Sequence, residues 1–199
     1  MTPPPELRLA VLASGRGSNA KTLMQEARAL GTPVRVLISD RLDAGAHDHA
    51  RGAGVPSETV DTAGGRDVFE TRLLERLEAH GIHWLLLAGF MRILSPRVIR
   101  AFHDPALGHA RILNIHPSLL PAYPGLGAYE RAWNDQQARH GVTVHVVDEG
   151  VDTGPVLAQA EYSREPDDTL HTFTARGLAL EHDLYARVLR RLVNGTLQP

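Results

Sequence analysis

Residues 7–19 read LRLAVLASGRGSN, an apolar run followed at once by a glycine-rich turn. The run Leu7–Ala13 has the length and composition of a buried strand, and the pattern from Ser18 predicts a helix that stops at Gly31. A buried strand that enters a helix through such a turn is typical of parallel sheets covered by helices. This beginning therefore predicts further strand–helix units along the chain.

Such units follow as far as His116. The predicted strands are Leu7–Ala13, Val34–Ser39, Val55–Val60, Trp84–Ala88 and Arg111–His116, and the predicted helices are Ser18–Leu30, Asp43–Gly52, Arg66–His80 and Ser95–Phe102. Ser95 and Pro96 are typical of a helix start, as N-cap and first helical residue. Trp84–Ala88 is the most apolar strand, which predicts a central position. We expect an α/β fold with an open, mostly parallel, twisted sheet and helices on both faces, Rossmann-like in its N-terminal half.

Beyond His116 the pattern changes. Prolines at 117, 121 and 124 predict an irregular loop. A helix over Tyr129–Ala138 and strands over Val142–Asp148 and Val156–Tyr162 follow, and we expect these strands to form an antiparallel C-terminal extension. Asp167–Asn194 is predicted to be helical, with a break expected near Gly177.

Composition excludes several classes of protein. Lys and Arg number 21 against 23 Asp and Glu, a net charge of −2 that argues against a strongly basic nucleic-acid-binding protein. The absence of cysteine excludes disulfides and thiolate metal sites. Residues 1–6 lack the features of a signal peptide, and the apolar run 84–88 is far shorter than the ~20 residues of a membrane span. We expect a cytoplasmic protein that binds neither nucleic acid nor membrane.

Two turns at the predicted carboxyl ends of strands are candidate ligand sites. In Ser14–Asn19, backbone N–H groups and the start of the following helix could bind a phosphate. Gly15, Gly17, Ala20 and Asp40 also fit a loose dinucleotide pattern, which leaves a nicotinamide enzyme open. The segment Leu87–Ser95 (LAGFMRILS) combines a glycine that permits close approach with an apolar wall.

Asn114 and His116 are the leading candidates for catalysis. Residues two apart in a strand share a face, so these side chains point together. Asparagine can donate to a carbonyl oxygen that gains charge, and histidine can move a proton near neutral pH. In the acidic segment Asp148–Pro155, a carboxylate beside His116 would raise the pKa of that histidine. A solvated turn is the alternative for this segment, and the remaining histidines show no zinc pattern, so we expect no metal.

Together these segments resemble the folate-dependent formyltransferases. The likeness spans nearly the whole chain, in the order SGRGSN, LAGFMRILSP, ILNIHPSLLPAYPG and GVTVHVVDEGVDTGPVLAQ. It implies a single formyltransferase domain over residues 1–199, with a phosphate-binding α/β half at 1–110 and a catalytic and folate-binding half at 111–199. Larger members of the family carry additional domains, for which 199 residues leave no room.

The resemblance also implies roles for particular residues. Asn114, His116 and Asp152 match the catalytic trio, and the residues that match the binding site of the ribonucleotide are Gly17, Ser18, Asn19 and Glu181. The residues that match folate contacts are Arg66, Met91, Arg92, Ile93, Leu94, Asn114, Asp148, Glu149, Gly150, Val151 and Asp152. The chain departs from its relatives at Gly127, where some have histidine, and at 178–180, where Leu178 and Leu180 are apolar.

The activity implied is transfer of the formyl group of 10-formyltetrahydrofolate to the amine of 5'-phosphoribosylglycinamide, a step of purine biosynthesis. Asn114 and protonated His116 would stabilise a tetrahedral intermediate, with Asp152 keeping the histidine charged and no metal taking part. The enzyme would be a monomer or a homodimer. A formyltetrahydrofolate hydrolase and a non-catalytic folate-binding or nucleotide-binding module are the alternatives.

Overall fold

The computed structural model describes residues 7–197, which form nine strands and six helices. The strands are β1 (Leu9–Leu12), β2 (Val36–Ser39), β3 (Ser57–Thr59), β4 (Trp84–Leu87), β5 (His103–Asp104), β6 (His109–Ala110), β7 (Ile112–His116), β8 (Arg139–Val146) and β9 (Val156–Ser163). The helices are α1 (Ser18–Ala29), α2 (Ala46–Ala53), α3 (Gly65–Ala79), α4 (Pro96–Ala101), α5 (Ala128–Asn134) and α6 (Leu170–Val193). The expectation about a signal peptide concerns residues 1–6, which lie outside the described residues.

Seven of these strands form one open sheet in the order β3-β2-β1-β4-β7-β8-β9. Neighbouring strands pair in parallel along β3-β2-β1-β4-β7, whereas β7 with β8 and β8 with β9 pair antiparallel. The predicted fold class, the central place of β4 and the antiparallel extension are confirmed. The short β5–β6 pair was not predicted, because its four residues form no apolar run.

Helices cover both faces of the sheet, which explains why the central parallel strands β1, β2 and β4 are buried throughout. In β1, Leu9 and Val11 pack with α1, α2 and α6, whereas Ala10 and Leu12 pack with α3 and α4. None of the helices within residues 7–197 is long and apolar enough to cross a membrane.

The strand order places a crevice at one edge of the sheet. The chain passes from β1 outward to β2 and β3, and then returns to add β4 on the other side of β1. The connections that leave β1 and β4 therefore run in opposite directions, and the space between them is where ligands bind in sheets of this kind.

One helix start is confirmed and one helix end differs from the prediction. Ser95 takes the predicted N-cap position of α4, and its hydroxyl donates to the buried Glu70 carboxylate rather than accepting from a helix N–H. Helix α5 ends at Asn134, short of the predicted Ala138, because Gln136 adopts a left-handed conformation with φ of 52°.

The expected break near Gly177 is wrong, since α6 runs without interruption from Leu170 to Val193. Gly177 lies instead at the position where the ring of Tyr129 packs against the helix. A Cβ at residue 177 would come within 2.4 Å of Tyr129 Cε1. The glycine is therefore required by close packing and not by a bend.

Replacing Gly177 with alanine should destabilise the protein by about 1–3 kcal/mol, because the added methyl overlaps the Tyr129 ring. Gly52 is the matched control, since it also lies within a helix but its Cβ would meet nothing within 4 Å. Gly52→Ala should stabilise the protein by about 0.5–1 kcal/mol. Urea unfolding of both variants tests this, and a shift in the same direction for both would contradict it.

Candidate active site

A cavity of about 610 Å³ opens at the carboxyl ends of β1, β4 and β7. The loops after these strands line it together with residues 125–127, 147–148 and 150–152, and with Leu178 and Glu181 of α6. The predicted candidate segments, which lie far apart in sequence, thus meet around one space, as the strand order requires.

The turn after β1 is fixed by contacts that leave no room for a side chain at residue 17. Gly17 has φ of 80°, and a Cβ there would lie 2.5 Å from Ala46 Cα. Ser14 joins this turn to the loop after β4, because its N–H donates to Gly89 O at 3.1 Å and its Oγ accepts from Met91 N–H at 2.9 Å. The two predicted ligand-binding turns are therefore one connected unit.

Helix α1 begins at this turn with free hydrogen-bond donors. Its N-cap is Gly17, which offers no capping side chain, and its first turn contains no acidic residue. The first N–H groups of a helix have no partner within the helix and carry partial positive charge. This end of the cavity is suited to an anion.

Glu181 is buried between α1 and α6 beside this end of the cavity. One carboxylate oxygen accepts from Asn19 Nδ2 at 2.5 Å and the other from Tyr129 OH at 2.5 Å. Burial raises the pKa of Glu181, although both hydrogen bonds oppose that shift. Asn19 Oδ1 is buried without a partner, which leaves an acceptor for a donor group on a ligand.

Asp152 lies at the centre of the polar groups at the other side of the cavity. Its Oδ2 accepts from Gly125 N–H at 2.7 Å and lies 3.2 Å from His116 Nδ1. Its Oδ1 lies 3.4 Å from His145 Nε2 and 3.5 Å from Asn114 Nδ2. Asp152 adopts φ of 54°, a left-handed conformation that aspartate tolerates better than most residues.

The pKa of Asp152 reflects this set of partners. Burial alone would raise the pKa of the carboxyl group, but His145, the Gly125 N–H and the charge on His116 lower it to about 2. The carboxylate is therefore ionised throughout the neutral pH range.

His116 is held from both sides of its ring. Nε2 lies 2.8 Å from Tyr123 O, and Nδ1 faces Asp152. Burial lowers the pKa of His116, although the Tyr123 carbonyl and Asp152 raise it. The expectation of a raised pKa is therefore wrong for the protein without substrates, because desolvation of the ring outweighs the neighbouring carboxylate.

His145 is a site residue that was not predicted from the sequence. It is paired directly with Asn114 in the antiparallel register of β7 and β8. Its Nδ1 lies 2.9 Å from Val146 O, and its Nε2 lies 3.1 Å from Asn114 Nδ2. The sequence signal was the alternation of apolar and polar residues along 142–148. It points to His145 as a site residue only when the pairing of β8 with β7 is known.

Most of the remaining predicted residues also line the cavity. They are Gly17, Ser18, Asn19, Met91, Arg92, Ile93, Leu94, Asp148, Gly150, Val151 and Glu181, together with the departing positions Gly127 and Leu178. Met91 and Ile93 are largely exposed, so they offer a bare apolar surface to a ligand. Arg92 Nε donates to Asp40 Oδ2 at 3.0 Å, which occupies the carboxylate that a dinucleotide would need for its ribose.

Two predicted folate contacts lie away from the cavity. Arg66 is exposed near the start of α3 and does not line it. Glu149 does not line it either, and its carboxylate lies 3.6 Å from the exposed Arg100. In the part of the chain that the structure describes, no group of three or more His, Asp or Glu side chains is placed to hold a metal ion.

The fold and the site define this chain as a member of the formyl transferase family, whose sequence model matches residues 7–189. The chain is 34% identical over 190 residues to phosphoribosylglycinamide formyltransferase from Bacillus subtilis, an alignment that covers 94% of each protein. It is similar in structure to glycinamide ribonucleotide transformylase 1 from Symbiobacterium toebii, with a TM-score of 0.88, 40% identity, and coverage of 95% of this chain and 88% of the other.

The chain also resembles part of a longer protein. It is 38% identical over 195 residues to the trifunctional purine biosynthetic protein adenosine-3 of Drosophila melanogaster. That alignment covers 95% of this chain but only 14% of the fly protein.

The Asp152 carboxylate should make the protein less stable in acid. Because its pKa is about 2 in the folded state and about 3.9 when unfolded, protonation favours the unfolded chain. The stabilisation, about 2 kcal/mol, is complete above about pH 5 and is lost progressively as the pH falls from there through about 2. Urea unfolding between pH 6 and pH 3 should show a stability difference from Asp152→Asn that shrinks with acid, and a constant difference would contradict this.

Proposed function

We propose that this protein transfers the formyl group of 10-formyltetrahydrofolate to the amine of 5'-phosphoribosylglycinamide. The observation that carries the proposal is the meeting of Asn114, His116 and Asp152 in one cavity that also receives the start of α1. Donors suited to an oxyanion and a site suited to a phosphate are therefore within reach of a single small substrate. The names of the relatives support phosphoribosylglycinamide as the acceptor of the formyl group.

The two ends of the cavity suit the two substrates. The amine substrate takes the polar end, with its phosphate at Gly17–Asn19 and its hydroxyl groups near Glu181 and Asn19 Oδ1. The pterin takes the end lined by Met91–Leu94, Asp148 and Gly150–Asp152, where Met91, Ile93 and Val151 are exposed. Arg66 and Glu149 are left out of this assignment, because the structure places neither at the cavity.

The chemistry is nucleophilic attack of the amine on the formyl carbon, which converts the carbonyl oxygen into an oxyanion. Asn114 Nδ2 turns from its 3.5 Å contact with Asp152 to donate to this oxygen. His116 keeps Nε2–H on the Tyr123 carbonyl, which fixes the ring, and presents Nδ1 to the reacting atoms.

A proton must pass from the attacking amine to the folate nitrogen that leaves. His116 starts neutral because burial lowers its pKa, and the developing oxyanion together with Asp152 stabilises the imidazolium. Nδ1 takes the amine proton, donates to the oxyanion, and releases the proton to the folate nitrogen as the C–N bond breaks. Atoms and charge balance with no metal and no covalent enzyme intermediate.

The proposed setting is purine biosynthesis, which agrees with the name of the fly relative. The proposed location is the cytoplasm. The expectations of a monomer or homodimer, and of an enzyme without a metal, stay predictions.

Loss of the formyl group of 10-formyltetrahydrofolate, followed by absorbance, should require 5'-phosphoribosylglycinamide. The reason is that the amine is the nucleophile that takes up the formyl group in the proposed reaction. Formate release at the same rate without the ribonucleotide would show a hydrolase instead. Binding of both ligands with no turnover would show a non-catalytic module.

His116→Ala should lower kcat by about 10²–10³, equivalent to about 2.7–4 kcal/mol of lost transition-state stabilisation, with little change in either KM. The exposed His171 on α6 is the matched control, and His171→Ala should keep the rate of the unchanged protein. Steady-state kinetics on both variants decide the point. Full turnover by His116→Ala would remove this histidine from the mechanism.

A further inference from the structure

We propose that Arg16 binds the phosphate of the amine substrate and makes the enzyme selective for a phosphorylated ligand. This inference rests on the proposed function, since it concerns the same end of the cavity. It adds a residue outside the segment Gly17–Asn19 to which the phosphate was assigned.

The backbone of Arg16 is held firmly between two glycines. Ala46 N–H donates to Gly15 O at 3.2 Å, and a Cβ on Gly45 would lie 3.1 Å from Arg16 O. The start of α2 therefore packs directly on this turn. The Arg16 side chain is nevertheless exposed and lines the cavity. A closely packed turn thus presents an exposed guanidinium at the phosphate end of the cavity.

The charges around the cavity single out this residue. The titratable side chains that line it are Arg16, Arg92, His116, His145, Asp148, Asp152 and Glu181. Arg92 is held by Asp40 at 3.0 Å, and both histidines face Asp152. Among residues 7–197, Arg16 is the cavity-lining arginine that forms no ion pair with a carboxylate.

The phosphate end needs this charge. A phosphate monoester carries about −1.5 to −2 charges at neutral pH, whereas a helix N-terminus contributes about +0.5. Helix α6 adds Leu178 and Glu181 to the lining and no cation. Lys21 lies on α1 but does not line the cavity. Arginine can bind phosphate with two parallel hydrogen bonds, so Arg16 completes the charge balance and favours phosphate over a neutral group.

The test compares Arg16→Gln and Arg16→Lys with Arg51→Gln. Arg51 is the matched control because it is an exposed arginine on α2 that pairs only with Asp48 and lies outside the cavity lining. Arg16→Gln should raise the KM for the ribonucleotide about tenfold, equivalent to about 1.4 kcal/mol, with kcat and the KM for the folate unchanged. Arg16→Lys should restore part of the loss, and Arg51→Gln should match the unchanged protein.

A binding measurement separates this proposal from the proposed function. Calorimetry with ribose 5-phosphate needs no formyl transfer, and Arg16→Gln should weaken its binding about tenfold and flatten its dependence on salt. Weaker binding in a protein that transfers no formyl group would uphold the phosphate role and reject the transferase. Equal affinity and equal KM in Arg16→Gln and Arg51→Gln would overturn the role of Arg16.

Discussion

The partly buried carboxylate of Asp152 makes the contacts on which the geometry of the site depends. It accepts from Gly125 N–H and contacts Asn114, His116 and His145, so it joins strands β7 and β8 to both loops that follow them. A carboxylate is costly to bury unless its oxygens are satisfied, and each partner reduces that cost. The left-handed conformation of residue 152 is acceptable for the same reason, because the contacts it permits outweigh a modest backbone strain.

The sheet explains why two chemically different regions share one cavity. The reversal of direction between β1 and β4 opens the crevice, and Ser14 ties the turn after β1 to the loop after β4. The antiparallel strands β8 and β9 then extend the sheet on the side of β7, which brings His145 opposite Asn114. Phosphate binding by backbone groups and proton transfer by side chains are thus supported by different parts of one rigid sheet.

Most of the architecture could be predicted because the central parallel strands β1, β2 and β4 are buried on both faces and are therefore visible as apolar runs. Features that depend on tertiary contacts could not be predicted. Gly177 resembles a helix breaker in sequence but accommodates the ring of Tyr129. The same-face placement of Asn114 and His116 follows from strand geometry, whereas the approach of Asp152 was implied only by resemblance. The direction in which the pKa of His116 shifts depends on burial of the ring, and no local sequence pattern reveals that burial.

The hydrogen bond between Asn19 and Glu181 has a consequence for how the protein is made. Its partners are separated by 162 positions in the chain, yet both border the phosphate end of the cavity. During synthesis on a ribosome, the turn after β1 emerges early, and the helix that carries Glu181 emerges last among the elements described. A nascent chain can therefore fold its parallel strands well before it can hold a substrate, so ligand binding becomes possible only when the C-terminal helix has docked against α1.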